Sequence, residues 1–455
     1  MTAGSTPKSD WAGSSPERLR ITLATAIAGG VSSIDTIVAL SSGRPPAAIA
    51  IVRTSGPAAF AAAEAIAGSL PEPRQASLRR LIDPRDGSLI DEALILRFDG
   101  VFSATGENTV EYQCHGGRAT VDALIKTLLS HTGVRMAEPG EFTRRAMSNG
   151  RIDLTEAEGL ADLLAAETEL QRRSAMARAG GALRARLEDW RDRLLALSAR
   201  TEVAIDYADE EDGEFDLGLM PDIKRLSAEM AELVVAPRVE PMREGVRVVV
   251  AGPPNAGKSS LVNALAQSER AIVTPIAGTT RDVIEVPIAI GGVPFVLVDT
   301  AGLRDSDDTV EAIGIDRARH EAGRADLLLW LGSPGEAPTH DELILVSAKS
   351  DLAADGGEGV QVSAVTGEGL DALTDCLMNR ARHLLPKGDE LALDRRQHDL
   401  LADGQAALGR AVALNDAVLI AEELRNARLA IDRISGRAGV EDLLDALFGR
   451  FCLGK

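Results

Sequence analysis

The stretch Val246-Arg-Val-Val-Val-Ala251, followed at once by Gly252-Pro-Pro-Asn-Ala-Gly-Lys258-Ser259, decides the reading of this chain. The first part is an apolar, β-branched run broken only by Arg247, which reads as a buried strand. The second part fits G-x-x-x-x-G-K-[ST], and Ser260 to Ala266 reads as a helix. Strand, glycine loop and helix in that order make a phosphate cradle. The glycines let backbone N–H groups curl around an anion, and the helix N-terminus adds a favourable dipole. Lys258 would neutralise the β- and γ-phosphates, and the Ser259 hydroxyl would ligate Mg²⁺.

Downstream segments fill in the rest of a nucleotide site. Asp299-Thr300-Ala301-Gly302 follows the apolar strand Val293 to Val298. An Asp there can hold Mg²⁺ through water, and the Gly302 N–H can meet a γ-phosphate. Gly278-Thr279-Thr280 lies between, where Thr280 would complete the Mg²⁺ shell. Ala348-Lys349-Ser350-Asp351 follows the strand Leu343 to Val346, and the Asp351 carboxylate suits the N1–H and amino donors of guanine. Ser363-Ala364 follows a further short strand, where backbone N–H could meet guanine O6. The ordered set resembles a small GTPase domain. Nucleotide contacts are therefore expected from Asn255, Ala256, Gly257, Lys258, Ser259, Ser260, Thr274, Thr279, Thr280, Asp299, Thr300, Ala301, Gly302, Lys349, Asp351, Ser363 and Ala364. The guanine motif is usually Asn-Lys-x-Asp. Ala348 replaces the Asn and loses one side-chain bridge to the base and the P-loop. Asp351 still favours guanine, with ATP as the alternative. Leu303 stands where many GTPases carry a water-positioning Gln, so that role falls to another residue or a partner.

The 455 residues suggest about three domains. Lys and Arg total 49 against 69 Asp and Glu, a net charge of −20, which excludes coating nucleic acid by bulk charge. Scarce aromatics disfavour a base-stacking platform. Three dispersed cysteines exclude a disulfide scaffold and suggest a reducing, cytoplasmic setting. No apolar run reaches the ~18 residues of a membrane span. Residues 1–33 read as a flexible extension, with a targeting peptide as the other reading. Short strand-like runs and helical patterns over 34–152 suggest an α+β domain. Residues 153–240 and 387–455 are helical and flank an α/β block over 241–386, so a P-loop domain inserted into a helical bundle is expected.

Further segments make the resemblance specific. They are Asp35-Thr-Ile-Val-Ala, Arg53-Thr-Ser-Gly, Gly106-Glu-Asn-Thr-Val-Glu111 with His115-Gly-Gly, Pro139-Gly-Glu-Phe-Thr-Arg-Arg-Ala, Asp153-Leu-Thr-Glu-Ala-Glu, Ile205-Asp-Tyr-Ala-Asp-Glu-Glu and Phe451-Cys-Leu-Gly-Lys455. With the Asn255-bearing P-loop they resemble the MnmE (TrmE) family of tRNA-modification GTPases, from Asp35 to the chain end. The resemblance implies an α+β folate-binding domain that forms a homodimer, a helical domain, and a GTPase domain inserted into it. It implies an FAD-dependent MnmG (GidA) partner in a heterotetramer or larger complex. Together they place an aminomethyl or carboxymethylaminomethyl group on C5 of the wobble uridine of certain tRNAs, with 5-formyltetrahydrofolate or a related tetrahydrofolate supplying one carbon. It implies K⁺ ligation by Asn255, Thr274, Ile276 and Thr279, with the charge of the ion acting as an arginine finger would. Glu311 matches the water-orienting carboxylate, and Arg53, Glu111, Arg151 and Lys455 match the folate site. Arg151 stands where Lys is common, keeping charge but not shape.

Several residues keep two readings. Cys452 resembles a nucleophile or redox thiol and equally suits packing. His115 reads as a turn residue, placed near folate in the functional reading. The run Asp206 to Asp216 holds seven carboxylates and is a solvated loop or a partner contact. Arg172 to Arg200 holds eight arginines against three acids, a local +5 that would meet tRNA or pair with the acidic run nearby. A pure regulatory switch would not need Arg53 and Glu111. A ribosome-assembly GTPase would share Asn255 but lack the folate and Cys-Leu-Gly-Lys segments.

Overall fold

The computed structural model describes residues 35–206, 218–268, 270–273, 284–299, 321, 323–352, 358–386, 391–439, 444, 447–449, 451 and 454. The chain divides into two compact units, residues 1–152 with 442–455, and residues 153–441.

The first unit is built on a six-stranded sheet of order β3-β4-β5-β2-β1-β6. Its strands are β1 (Thr36–Leu40), β2 (Ile49–Ser55), β3 (Ser77–Ile82), β4 (Leu89–Phe98), β5 (Thr109–His115) and β6 (Val134–Met136). Every neighbour pair is antiparallel except β1 with β6. Side chains alternate across a strand. Ala50 and Val52 of β2 with Val110, Tyr112 and Cys114 of β5 therefore enter the core, packed with α1 (Ala59–Ala67) and α2 (Arg118–Leu129). Arg53 and Glu111 point to the opposite face.

β3 and β6 did not stand out in the sequence. β3 is an edge strand whose Arg79 and Arg80 interrupt its apolar pattern, a common guard on sheet edges. The end of the chain belongs to this unit. Ser41 Oγ donates to the Gly454 carbonyl at 2.9 Å. Gly454 (φ +106°) is needed there, because a Cβ would lie 2.1 Å from the Leu40 carbonyl oxygen. Phe448 likewise sits against Gly140, with its ring 6.0 Å from that of Phe451.

In the second unit, α3 (Leu154–Ala165) and α4 (Glu169–Ala179) form a hairpin whose starts carry capping boxes at Asp153 and Thr168. The bundle comprises α5 (Ala182–Asp206), α6 (Leu219–Val235), α7 (Arg395–Val412) and α8 (Ala417–Ile434). Leu183, Leu187, Trp190, Leu194 and Leu197 recur at alternating four- and three-residue steps and share one core with Leu226, Met230, Leu408, Leu424 and Ile431. Helices on both sides of the α/β block therefore make one bundle. The Val239 N–H donates to the Leu393 carbonyl at 3.0 Å where the chain leaves and returns.

Most of the arginine-rich stretch is spent inside this unit. Arg184 meets Glu156, Arg191 meets Asp432, Arg193 meets Glu229 and Arg200 meets Asp222, at 2.6–2.9 Å. Arg172 and Arg173 share Glu169, Arg178 pairs with Asp162, and Arg186 lies over the Trp190 ring. These partners lie on the helices themselves and not in the acidic run that the sequence suggested. Residues 207–217 of the acidic run lie outside the described residues.

The α/β block holds a seven-stranded sheet of order β13-β12-β11-β7-β10-β9-β8. Its strands are β7 (Val246–Ala251), β8 (Ala271–Val273), β9 (Ile284–Ile290), β10 (Val293–Asp299), β11 (Leu327–Trp330), β12 (Leu343–Ala348) and β13 (Val360–Val362). Strands β7 and β10 to β13 pair in parallel, whereas β9 pairs antiparallel with both β10 and β8. Among the described residues, no helix is long and apolar enough to cross a membrane.

Candidate functional site

β7 is central and buried on both faces, which is why it reads as a nearly unbroken apolar run. Its neighbours are β10 on one side and β11 on the other. The chain goes to opposite sides of β7, so a crevice opens at the carboxyl ends of these strands, the usual ligand position in an open α/β sheet. The loop after β7 lies in that crevice. Gly252 (φ +150°) passes so close to β11 that a Cβ would lie 2.7 Å from the Leu331 carbonyl oxygen. Gly257 (φ +99°) caps the helix α9 (Lys258–Ala266), which starts two residues before the expected Ser260.

Lys258 is 8 % exposed, and its Nζ donates to the carbonyls of Gly252 (3.0 Å) and Pro253 (2.9 Å). Its ammonium is thus held inside the loop's arch. Asp299 ends β10, pairs in register with Val250 and is 4 % exposed. Ser259, at the start of the helix, is exposed, as is Asn255 on the crest of the loop. Asn255 has φ +59°, and its carbonyl accepts from Lys349 Nζ at 2.8 Å. This bond ties the loop after β12 to the phosphate loop. The Ser350 N–H in turn donates to the Val362 carbonyl at 3.3 Å, joining that loop to the end of β13. Ser363 is fully buried, and its hydroxyl accepts from the Val365 and Thr366 N–H groups. Asp351 is exposed beside them.

The structure therefore gathers Asn255 to Ser260, Asp299, Lys349, Asp351, Ser363 and Ala364 on segments at one end of the sheet. Of the other expected residues, Thr274, Ile276, Thr279, Thr280, Thr300, Ala301, Gly302, Glu311, Cys452 and Lys455 lie outside the described residues.

A second polar group lies in the first unit. Arg53 and Glu111 are direct cross-strand neighbours, and Arg53 Nε and Nη2 donate to Glu111 Oε1 at 2.9 and 2.7 Å. The guanidinium also faces the Phe142 ring at 5.7 Å. Arg151 is exposed and stands against Gly106, where a Cβ would lie 3.3 Å from its Cγ. Ser55, two residues beyond Arg53, bonds Glu107 at 2.8 Å, which seats that loop at the end of the same strands. His115 ends β5 with its ring Nδ1 2.8 Å from Asp91 Oδ1.

Beneath the pair lies a network that the sequence showed only as motif letters. Helix α10 (Glu141–Ser148) buries charged side chains, and its Glu141 and Arg145 are 3 % and 5 % exposed. Arg145 reaches Glu141 (3.0 Å), Glu107 (3.1 Å) and the Asp35 carbonyl (2.9 Å). Arg135 bonds Glu141 and Asp35, each at 2.6 Å. Burial pushes the Glu141 carboxyl up, but hydrogen bonds from Arg135, the Glu138 N–H and Arg145 outweigh it and hold it below its ordinary value. The bond from Arg135 lowers Asp35 as well. The four-residue spacing of Glu141 and Arg145 was the one local signal of this network.

Comparisons with known proteins agree across the chain. The family model described as the MnmE helical domain matches residues 154–452, and that described as the GTP-binding protein TrmE N-terminus matches residues 36–151. A tRNA modification GTPase MnmE of Erythrobacter litoralis is 54% identical over 93% of this chain and 100% of its own length. The protein of that name from Rhizorhabdus wittichii is 53% identical over 94% of this chain and 98% of its own.

The network has a testable pH signature. A depressed carboxyl stabilises the folded state fully above the ordinary carboxylate range, and that contribution is lost as pH falls through the folded-state value. Unfolding of the full chain by urea should show the first unit weakening below about pH 4.5. Glu141→Gln should cost about 3 kcal/mol at neutral pH by removing the buried carboxylate that two arginines share, and should flatten the acid dependence. An unchanged acid profile in the variant would remove Glu141 from this role.

Proposed function

Because the chain belongs to the MnmE family of tRNA modification GTPases, we propose that its GTP hydrolysis serves one particular modification. With an FAD-dependent partner of the MnmG (GidA) family it places an aminomethyl or carboxymethylaminomethyl group on C5 of the wobble uridine of certain tRNAs. A tetrahydrofolate such as 5-formyltetrahydrofolate supplies the one-carbon unit. The observation that carries this reading is the presence in one chain of the P-loop crevice and the separate Arg53–Glu111 pair. A nucleotide switch alone has no use for the second.

In the crevice, backbone N–H groups of the loop's non-proline residues hold the β- and γ-phosphates, and Lys258 neutralises them. Ser259, exposed at the helix start near buried Asp299, fits Mg²⁺ together with Thr280, and the ion would supply charge neutralisation at the bridging phosphates. Asn255, exposed and pinned through its carbonyl by Lys349, fits K⁺ with Thr274, Ile276 and Thr279. That ion would supply the positive charge of an arginine finger. Glu311 orients the attacking water, since Leu303 cannot. The water oxygen bonds to the γ-phosphorus, the bond to the β-phosphate oxygen breaks, and GDP and phosphate leave.

In the first unit, the Glu111 carboxylate accepts from the donor edge of a pterin, and Arg53, Arg151 and Lys455 face the glutamate tail. Arg53 and Glu111 hold each other at present, and both are only partly exposed, at 24% and 18%. A ligand must therefore replace a formed ion pair. Residues 34–152 would carry this site and the homodimer contact, with 442–455 serving it. Residues 153–240 and 387 onward would carry the helices, and 241–386 the GTPase. The exposed cross-strand pair Leu78 and Leu94 supports a contact on this sheet. Cys452 is the nucleophile or redox thiol of this reading.

Mass-spectrometric nucleoside analysis of tRNA from cells lacking the protein should show unmodified wobble uridines, restored by the gene. Unchanged nucleosides would sink the proposal. Exchanging Na⁺ for K⁺ should raise GTP turnover by about tenfold or more, and equal rates would remove the ion. Arg53→Ala should weaken 5-formyltetrahydrofolate binding about tenfold by calorimetry. Unaltered affinity would exclude Arg53 from the site.

A further inference from the structure

We infer that this chain reads its guanine from the pyrimidine edge and leaves the base's N7 without a side-chain donor, Ala348 standing where that donor would be. The inference rests on the nucleotide roles of Asp351 and Ser363–Ala364 proposed above.

Guanine offers two donors, N1–H and the 2-amino group, and two acceptors on its other exposed edge, O6 and N7. Asp351 can accept only, so it takes the donors. The Ser363 N–H is already given to the Glu368 carbonyl at 2.9 Å, so Ala364 is the residue of the pair left to meet O6. N7 is the next acceptor around the ring, on the side of the phosphates, and it faces the segment between the phosphate loop and Asp351.

Ala348 occupies that segment. A Cβ built on Gly257 would lie 3.8 Å from the Ala348 Cβ and 3.8 Å from Lys349 Cε, so hydrocarbon and glycine face each other there. The Lys349 ammonium is committed to the Asn255 carbonyl at 2.8 Å. A methyl group cannot donate, and the lysine that ties the two loops together also keeps their spacing without an asparagine. Specificity then comes from the charge-assisted contacts at Asp351, and N7 contributes little.

Displacement of a fluorescent GDP analogue from the full-length protein tests this. GDP and 7-deaza-GDP, in which a carbon replaces N7, should compete within about threefold of each other. Inosine diphosphate, lacking the 2-amino donor, should compete about tenfold less well. Ala348→Asn should tighten GDP about three- to tenfold and leave 7-deaza-GDP unchanged. A wild-type preference for GDP over 7-deaza-GDP above about threefold would overturn the inference. So would inosine diphosphate equal to GDP, or equal tightening of both guanine ligands by the asparagine. If the variant does not fold, the wild-type ratios decide alone. Failure of GDP itself to displace the probe would instead overturn the nucleotide roles beneath the inference.

Discussion

A backbone hydrogen bond from Val239 to Leu393 marks the constraint on which the second unit depends. The bundle core draws Leu183 to Met230 from one side of the α/β block and Leu393 to Ile434 from the other. Neither half can bury its apolar stripe without its partner. The chain must therefore leave the bundle and re-enter it at one place, and the inserted sheet must present its two ends side by side. Gln171 of the helical hairpin reaches the same crossing, donating to the Arg243 carbonyl at 3.2 Å.

The two sites use charge differently. In the phosphate crevice, Lys258 and Lys349 are held by carbonyl oxygens, which orient an ammonium without neutralising it. In the first unit, three arginines meet carboxylates: Arg53 meets Glu111, and Arg135 and Arg145 meet Glu141. The crevice is thus prepared for an anion that brings its own charge. The Arg53–Glu111 pair is balanced beforehand.

How much was legible follows from the range of each interaction. The β7 strand, its loop and helix α9 were plain because their signals are adjacent in the chain. The ladder of leucines in α5 was plain for the same reason. Arg53 and Glu111 were suggested by family resemblance alone, since only the register of β2 against β5 makes them neighbours. The link from Arg145 to Asp35 spans 110 residues and leaves no periodic trace. The return of Gly454 to Leu40 is likewise invisible to any local pattern. The helical period of the last segment gives no sign that residues 442–455 join the first unit. The partners of the arginine-rich stretch were equally hidden, because a charge count takes no account of acids supplied by other helices.

Those paired arginines also bear on how the protein meets nucleic acid. Attraction to a polyanion is driven largely by the release of counterions from its phosphates, and only cations not already neutralised can take their place. The arginines of α4 and α5 give their charge to Glu156, Asp162, Glu169, Asp222, Glu229 and Asp432. Contact between these helices and RNA would release few ions and respond only weakly to ionic strength. Recognition by this bundle would then rest on shape and on neutral hydrogen bonds.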